Sequence, residues 1–268
     1  MGVKFVKMAG AGNDFIVIDN RTPVLADGLA EFARVHCRRR FDVGADGVIL
    51  IEPSTATDFR MRIFNADGSE AEMCGNGSRC VARFAFTRGI AGRTMSFETL
   101  AGTIKAQVGG DRVTIGMGEV GAVAAPATVS ALGQDWTVHS VEAGVPHAIV
   151  FVEDVEEVPV GELGAAIRTH SHFAPRGTNV NFVQLVGGNR IRVRTYERGV
   201  EAETLACGTG SIASAVVSHE RKGVQGPPIE VEVRGGLLKV DFRKQDGRAR
   251  DVRLTGDAVF VYEGELPE

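Results

Sequence analysis

No stretch of this chain is apolar for long enough to span a bilayer, and its start, Met1-Gly2-Val3-Lys4-Phe5, lacks a signal-peptide h-region. Gly2 is not followed, four positions on, by the Ser or Thr that a myristoylation signal needs. Positive charge is in short supply as well. The formal net charge of −4 provides no overall basic field for nucleic acid or an anionic membrane. The one basic run, Arg38-Arg39-Arg40, follows a helix-like stretch and reads as a helix C-terminus completing the dipole. No Gly-rich dinucleotide fingerprint, P-loop or zinc-finger spacing occurs, so neither a cofactor nor a metal is expected. Cysteine is limited to Cys37, Cys74, Cys80 and Cys207. In the cytoplasm, the default location for such a chain, these stay reduced, which favours reactive or buried thiols over a disulfide framework.

What is present is an internal repeat. Cys74-Gly75-Asn76-Gly77 and Cys207-Gly208-Thr209-Gly210 are near-copies whose cysteines lie 133 positions apart. The same offset carries Gly44-Ala45-Asp46 onto Gly177-Thr178-Asn179, Asn13 to Val17 onto Pro146 to Val150, and Met61 to Asn65 onto Arg194 to Arg198. A period near half the chain means two similar domains rather than a solenoid. The 268 residues, 44% hydrophobic and 24% charged, can bury one large or two modest cores.

β-rich runs at 3–8, 15–18, 48–51, 59–64, 94–97, 104–108 and 112–115 recur as 137–141, 148–152, 181–186, 190–196, 229–233, 237–242, 251–254 and 259–262. Helical patterns fall at 28–38 and 77–88 in the first half and at 161–170 and 208–221 in the second. The expected class is α+β, with two pseudo-symmetric domains, each a curved, mostly antiparallel sheet around a helix. The first domain is expected over 1–119, rejoined by 256–268, and the second over 120–255, with 118–130 as linker.

Cys74 and Cys207 each fall where a strand and loop turn into a helix N-terminus. Unpaired N–H groups and the positive end of the macrodipole push a thiol there toward thiolate. The flanking glycines let backbone amides approach an anion closely. Two such thiols suit inversion of a stereocentre, one group removing an α-proton while its partner delivers one to the other face. Helix-end stabilisation of the enolate would replace the electron sink of a pyridoxal cofactor. A lone cysteine before a helix is more often structural. Two in the same glycine context at the duplication offset reverse that balance. Cys37 and Cys80 lack the context and read as packing residues.

The segments Asn65-Ala66-Asp67-Gly68-Ser69-Glu70-Ala71-Glu72-Met73-Cys74-Gly75-Asn76-Gly77-Ser78-Arg79-Cys80 and Tyr196-Glu197-Arg198-Gly199 through Gly210 resemble the two signature segments of the diaminopimelate epimerases. Gly10-Ala11-Gly12-Asn13-Asp14-Phe15, Gly44-Ala45-Asp46-Gly47 and Pro146-His147 extend the resemblance along the whole chain. It implies interconversion of LL- and meso-diaminopimelate without pyridoxal phosphate, on the route to lysine and peptidoglycan. It also implies barrel-like sheets around central helices, with the active site between the domains. In that frame Cys74 and Cys207 are the acid/base pair. Backbone groups of Gly75, Asn76, Gly208 and Thr209 grip the reacting carboxylate. Asn13, Asn65, Asn179, Glu197 and Arg198 read the rest of the substrate, and His147 orients or poises a thiol.

Each asparagine could equally be a turn former, and Arg198 a surface ion-pair partner of Glu197. Asp14, Asp46 and Asp67 read as caps. Many members of the family carry Gln where this chain has Gly47 and Asn where it has Val145, which leaves substrate recognition less defined than the reaction. Two other readings of the cysteine pair stay open: a proline or hydroxyproline racemase, and a redox-sensing dithiol. The expected partner is a small amino acid, with no nucleic acid and no membrane. A homodimer is compatible with the sequence.

Overall fold

Two helices of this protein are buried nearly all round, and two show an apolar face only, and that difference sets the layers. The computed structural model describes residues 2–266. The chain forms two units, one running through Gly116 and resuming at Thr255, the other spanning Met117–Leu254. Positions 1, 267 and 268 of the expected first domain lie outside the described residues.

In the first unit the hydrogen-bonded strand order is Val259–Leu266, Val3–Gly10, Asn13–Asp19, Gly47–Glu52, Phe59–Asn65, Thr94–Thr99, Gly102–Gly109 and Arg112–Gly116. All neighbours are antiparallel except Asn13–Asp19 with Gly47–Glu52 and Phe59–Asn65 with Thr94–Thr99. Helix α1 (Leu29–His36) lies against the outer face, over a core that includes Ile16, Ile18, Val48, Leu50 and Phe64. Helix α2 (Gly75–Thr87) touches strands from both ends of the order, so the sheet curls around it. Its buried residues Gly77, Ser78, Cys80, Val81, Ala82, Phe84 and Ala85 are mostly small, as a helix enclosed by a sheet requires.

The second unit repeats the plan. Ala127–Ala131, Gln134–Ala143, Val145–Phe151, Asn179–Gly187, Arg190–Glu197, Ile229–Val233 and Gly236–Gln245 follow one another by hydrogen bonding. Helix α3 (Val160–Arg168) takes the outer position with Leu163 and Ile167 buried against Val180, Phe182 and Tyr196. Helix α4 (Gly208–Lys222) takes the central one and ends on Gly223, whose φ of 65° is the left-handed geometry of a helix stop.

The runs expected to be strands are all strands, most of them longer than the sequence indicates. Three others carried too little signal. Glu70–Ala71 and Ala202–Thr204 are short arms that pair back on the preceding strand. Ala127–Ala131 overlaps the end of the expected 118–130 linker, but Val129 and Ala131 are buried and the Leu132-Gly133 turn, with φ of 53° and 74°, folds it onto Gln134–Ala143. The remainder of that linker is also bonded to its own unit, through Gly121 N to Glu142 O and Ala124 N to Ser140 O, both 2.9 Å.

Close packing between α3 and the sheet is testable at two glycines of one helix. A Cβ at Gly164 would lie 2.4 Å from Tyr196 Cβ, whereas one at Gly161 would meet nothing within 4 Å. Gly164→Ala is expected to lower the unfolding free energy by about 1–3 kcal/mol. Gly161→Ala should be neutral or stabilising by up to about 1 kcal/mol in the same denaturant titration.

Candidate functional site

Both central helices begin on a cysteine. Cys74 is extended (φ −135°, ψ 121°) and its Sγ accepts from Gly77 N at 3.5 Å. Cys207 is likewise extended (φ −110°, ψ 114°) and its Sγ accepts from Gly210 N at 3.3 Å. In each case the sulfur is the N-cap, taking the amide that a Ser or Asp side chain would ordinarily take. The short strands Glu70–Ala71 and Ala202–Thr204 lead into these caps and fix the direction of entry. The glycine at the third helical position is needed for space. A Cβ at Gly77 would lie 2.9 Å from Ile49 Cδ1, and one at Gly210 would lie 2.4 Å from Asn181 Oδ1 and 3.2 Å from Cys207 Sγ.

Around Cys74 the polar groups form one directed chain. Arg79 Nη2 donates to Asn76 Oδ1 (2.8 Å), Asn76 Nδ2 to Asn13 Oδ1 (2.6 Å), and Asn13 Nδ2 to Asp46 Oδ2 (2.9 Å). An arginine only donates and a carboxylate only accepts, so the two ends fix the orientation of both amides between them. Arg39 Nη2 holds Asp46 Oδ1 at 2.8 Å and Asp14 Oδ1 at 2.5 Å, and Lys7 Nζ adds a 2.8 Å ion pair to Asp14. Burial raises the Asp14 carboxyl, but the hydrogen bonds and charges of Arg39 and Lys7 outweigh it and hold the group below the usual carboxylate range. Asn13 and Asn76 are therefore brought together. Asn65 is exposed and donates to Ser69 Oγ at 3.0 Å, closing its own turn. Gly75 O accepts from Arg79 Nη1 at 3.5 Å.

Around Cys207 the neighbours differ. Thr209 Oγ1 lies 3.5 Å from the sulfur, and the Glu197 carboxylate is hydrogen-bonded to the thiol and to Thr204 Oγ1 (3.0 Å). Burial pushes the Glu197 carboxyl up, and the bonds from Thr204 and Cys207 partly offset it. Arg198 gives its backbone N–H to Asn179 Oδ1 (2.8 Å) and Nη1 to Arg176 O (3.0 Å), and forms no pair with Glu197. Gly208 opens the helix beside Leu254.

His147 and Asn179 face each other across parallel strands, at the positions that Asp14 and Asp46 hold in the first unit. His147 Nδ1 is 3.1 Å from Asn181 Nδ2, whose partner atom Oδ1 accepts from Thr195 Oγ1 at 3.0 Å. The Thr195 and Ala148 contacts assign the Asn181 amide, so Nδ1 of His147 is an acceptor and the ring proton sits on Nε2. That Nε2 is buried with no partner.

Arg79, Asp46, Asn181 and Thr204 had no assigned role in the sequence reading beyond capping by Asp46. Helical spacing does put Arg79 on the face of Gly75 and Asn76, and strand alternation puts Asn181 on the face of Asn179. At Gly47 a Cβ would lie 2.6 Å from Phe64 O, so the backbone here leaves no room for the Gln side chain. Val145 stands opposite Ala143 at a hairpin end. Cys37 and Cys80 are buried, and burial pushes their thiols up to about 11 and about 12. Among the described residues no group of three or more His, Cys, Asp or Glu side chains is placed to hold a metal, and no helix is long and apolar enough to cross a membrane.

Burial, with Arg198 adding to it, pushes His147 from 6.5 down to about 3. The unfolded chain thus binds a proton that the folded one refuses. The stabilisation is complete above pH 6.5 and drains away as pH falls toward about 3. Relative to His147→Gln, the native protein should lose unfolding free energy on acidification with a slope of up to about 1.4 kcal/mol per pH unit. A His147 ring that titrates near its ordinary value by NMR would contradict this.

A family model described as diaminopimelate epimerase matches residues 5–123 and 139–261. A diaminopimelate epimerase of Aquifex aeolicus is 47% identical over 99% of this chain and 98% of its own length. One of Methanothrix thermoacetophila is 46% identical over 99% of this chain and 96% of its own. Among solved structures, a phenazine biosynthesis protein of the PhzF family from Bacillus anthracis shares the fold at a TM-score of 0.77 and 15% identity, covering all of both chains. A probable proline racemase from Agrobacterium radiobacter does so at 0.72 and 16%, over 99% of this chain and 93% of that one. Fold likeness at such identity separates no chemistries, whereas near half-identity along the full length does, and by that measure the chain belongs to the diaminopimelate epimerase family.

Proposed function

We propose that this protein interconverts LL- and meso-diaminopimelate by proton transfer at the α-carbon, with no pyridoxal phosphate, as a cytoplasmic step toward lysine and peptidoglycan precursors. The observation that carries the mechanism is the matched pair of thiols capping the two central helices, Cys74 on Gly77 N and Cys207 on Gly210 N. One sulfur, as thiolate, takes the α-proton. The resulting enolate-like carboxylate is stabilised by amides of the first helical turns at Gly75-Asn76 and Gly208-Thr209. The other sulfur, as thiol, gives its proton to the opposite face, which inverts the centre. Each turnover leaves the two protonation states exchanged, so reversal of the reaction reverses the roles.

The remaining polar groups would recognise the substrate. Asn13 is held by Asn76 and Asp46 with its amide direction fixed, a rigid acceptor and donor set beside α2. Arg198 spends one guanidinium N–H on Arg176 O, and its remaining donors suit the distal carboxylate in a forked pair. Asn179 would position Arg198 by holding its backbone, and Asn65 would contribute from its exposed turn. Glu197, bonded to Cys207, would tune that thiol as well as face a substrate ammonium. Neutral His147, through Asn181, would support the start of α4 rather than exchange protons itself.

Purified, reduced protein given LL-diaminopimelate should form the meso isomer with nothing added. Cys74→Ser and Cys207→Ser should each cut turnover by about 10²–10⁴-fold or more while thermal unfolding changes little. Near-normal turnover in either variant would remove that thiol from the mechanism.

A further inference from the structure

Strands Asn13–Asp19 and Gly47–Glu52 run parallel, and where they begin two aspartates stand side by side. Asp14 N donates to Asp46 Oδ2 at 3.1 Å, and Asp46 N donates to Asp14 O at 2.9 Å and to its Oδ1 at 3.2 Å. Two carboxylates held on each other's backbone repel unless a cation lies between them. Lys7 pairs with Asp14 at 2.8 Å and donates to Gly44 O. Arg39 reaches both carboxylates: Nη1 to Asp14 Oδ2 at 3.1 Å, and Nη2 to Asp14 Oδ1 at 2.5 Å and to Asp46 Oδ1 at 2.8 Å. Among the described residues it is the cation bonded to Asp46. The end of α1 puts it there. Asp42 N returns to Arg38 O at 3.0 Å and Gly44 N to His36 O at 2.9 Å, and a Cβ at Gly44, whose φ is 72°, would lie 3.0 Å from Arg39 Cα.

The other oxygen of Asp46 accepts from Asn13 Nδ2 at 2.9 Å, while Asn13 Oδ1 accepts from Asn76 at 2.6 Å. A side-chain amide has two N–H groups and two lone pairs, so among the described residues one of each stays open on Asn13. In the second unit the matching residue, Asn179, holds the backbone N–H of Arg198 at 2.8 Å and is paired across the strands with His147 rather than with a second carboxylate. The same entry position thus holds a candidate substrate contact in each unit, and in the first unit it does so under like-charge repulsion. We propose that Arg39 is a positioning residue for substrate: by bridging Asp14 and Asp46 it keeps the Asp46 carboxylate on Asn13, and so aims the open N–H and lone pair of that amide. Single surface ion pairs contribute little, but one guanidinium fork shared by two carboxylates has a fixed geometry. The Arg39 side chain is itself 57% exposed, so its replacement leaves the core intact. The inference rests on the reading in which Asn13 contacts the substrate, and it adds what aims that contact.

The test reads KM and kcat for LL-diaminopimelate beside the Asn13 side-chain amide in NMR spectra of nitrogen-labelled protein, where that signal is identified by its loss in Asn13→Asp. Arg39→Gln should raise KM about tenfold or more while kcat stays within about threefold, and the Asn13 Nδ2 protons should exchange faster with solvent. In Asp46→Asn protein the same change should cost less than about threefold in KM, because the repulsion that Arg39 offsets is gone. A native KM in Arg39→Gln, a loss confined to kcat, or equal KM factors in the two backgrounds overturns the role. Should Arg39→Gln lack a folded thermal transition, Arg39→Lys, which keeps a charge but not the fork, is read by the same two measures: it should raise KM severalfold, and native values of both overturn the role. Failure of the function is a separate result. In a protein that leaves LL-diaminopimelate unchanged the amide signal decides alone, and an unaltered Asn13 exchange rate in Arg39→Gln overturns the positioning.

Discussion

A cysteine sulfur in place of a hydroxyl at the N-cap of a buried helix is the constraint on which the rest depends. The cap ties the sulfur to the third helical amide, and the helix is in turn enclosed by a curled sheet, so neither thiol position can drift without moving a core. Enclosure demands small residues along the helix, which is why α2 and α4 are rich in Gly, Ala and Ser. It also demands glycine at 77 and 210, where any side chain would strike Ile49 or Asn181. Chemistry and packing therefore make the same request of the same short motif.

Duplication supplied the scaffold twice, and the polar neighbours then diverged. Asn13, Asp14, Asp46, Asn76 and Arg79 of the first half stand where Pro146, His147, Asn179, Thr209 and Ile212 stand in the second. One half surrounds its thiol with a directed network anchored by buried charge. The other uses a neutral histidine, Asn181 and a buried glutamate. The two cysteines thus sit on alike backbones among unlike polar neighbours.

Much of this was legible because it rests on local chemistry. Gly208 as a helix start, the alternating strand 102–109 and the repeat at 133 follow from turn residues and period-two burial. Helix α2 starts at Gly75, two residues before the helical pattern at Gly77, because Gly-Asn-Gly looks like loop until the sulfur is seen to accept the third amide. Glu70–Ala71 and Ala202–Thr204 are too short to show a period, and Ala127–Ala131 was hidden by the Gly, Ala and Pro that precede it. At the site, the cysteines stood out through their paired context. Arg79 did not, because a buried arginine is identified by what surrounds it in space. At Gly47, only the fold shows that an added Cβ would lie 2.6 Å from Phe64 O.

The central claim is that two different groups handle the proton on the two faces of one carbon. Mass spectrometry of both isomers, after brief reaction of LL-diaminopimelate in deuterated water, tests it most directly. Two bases predict that newly formed meso product carries one deuterium at the inverted carbon while recovered LL substrate stays almost unlabelled. Product that keeps the original hydrogen, or label that enters substrate and product equally from the first turnovers, would contradict the account.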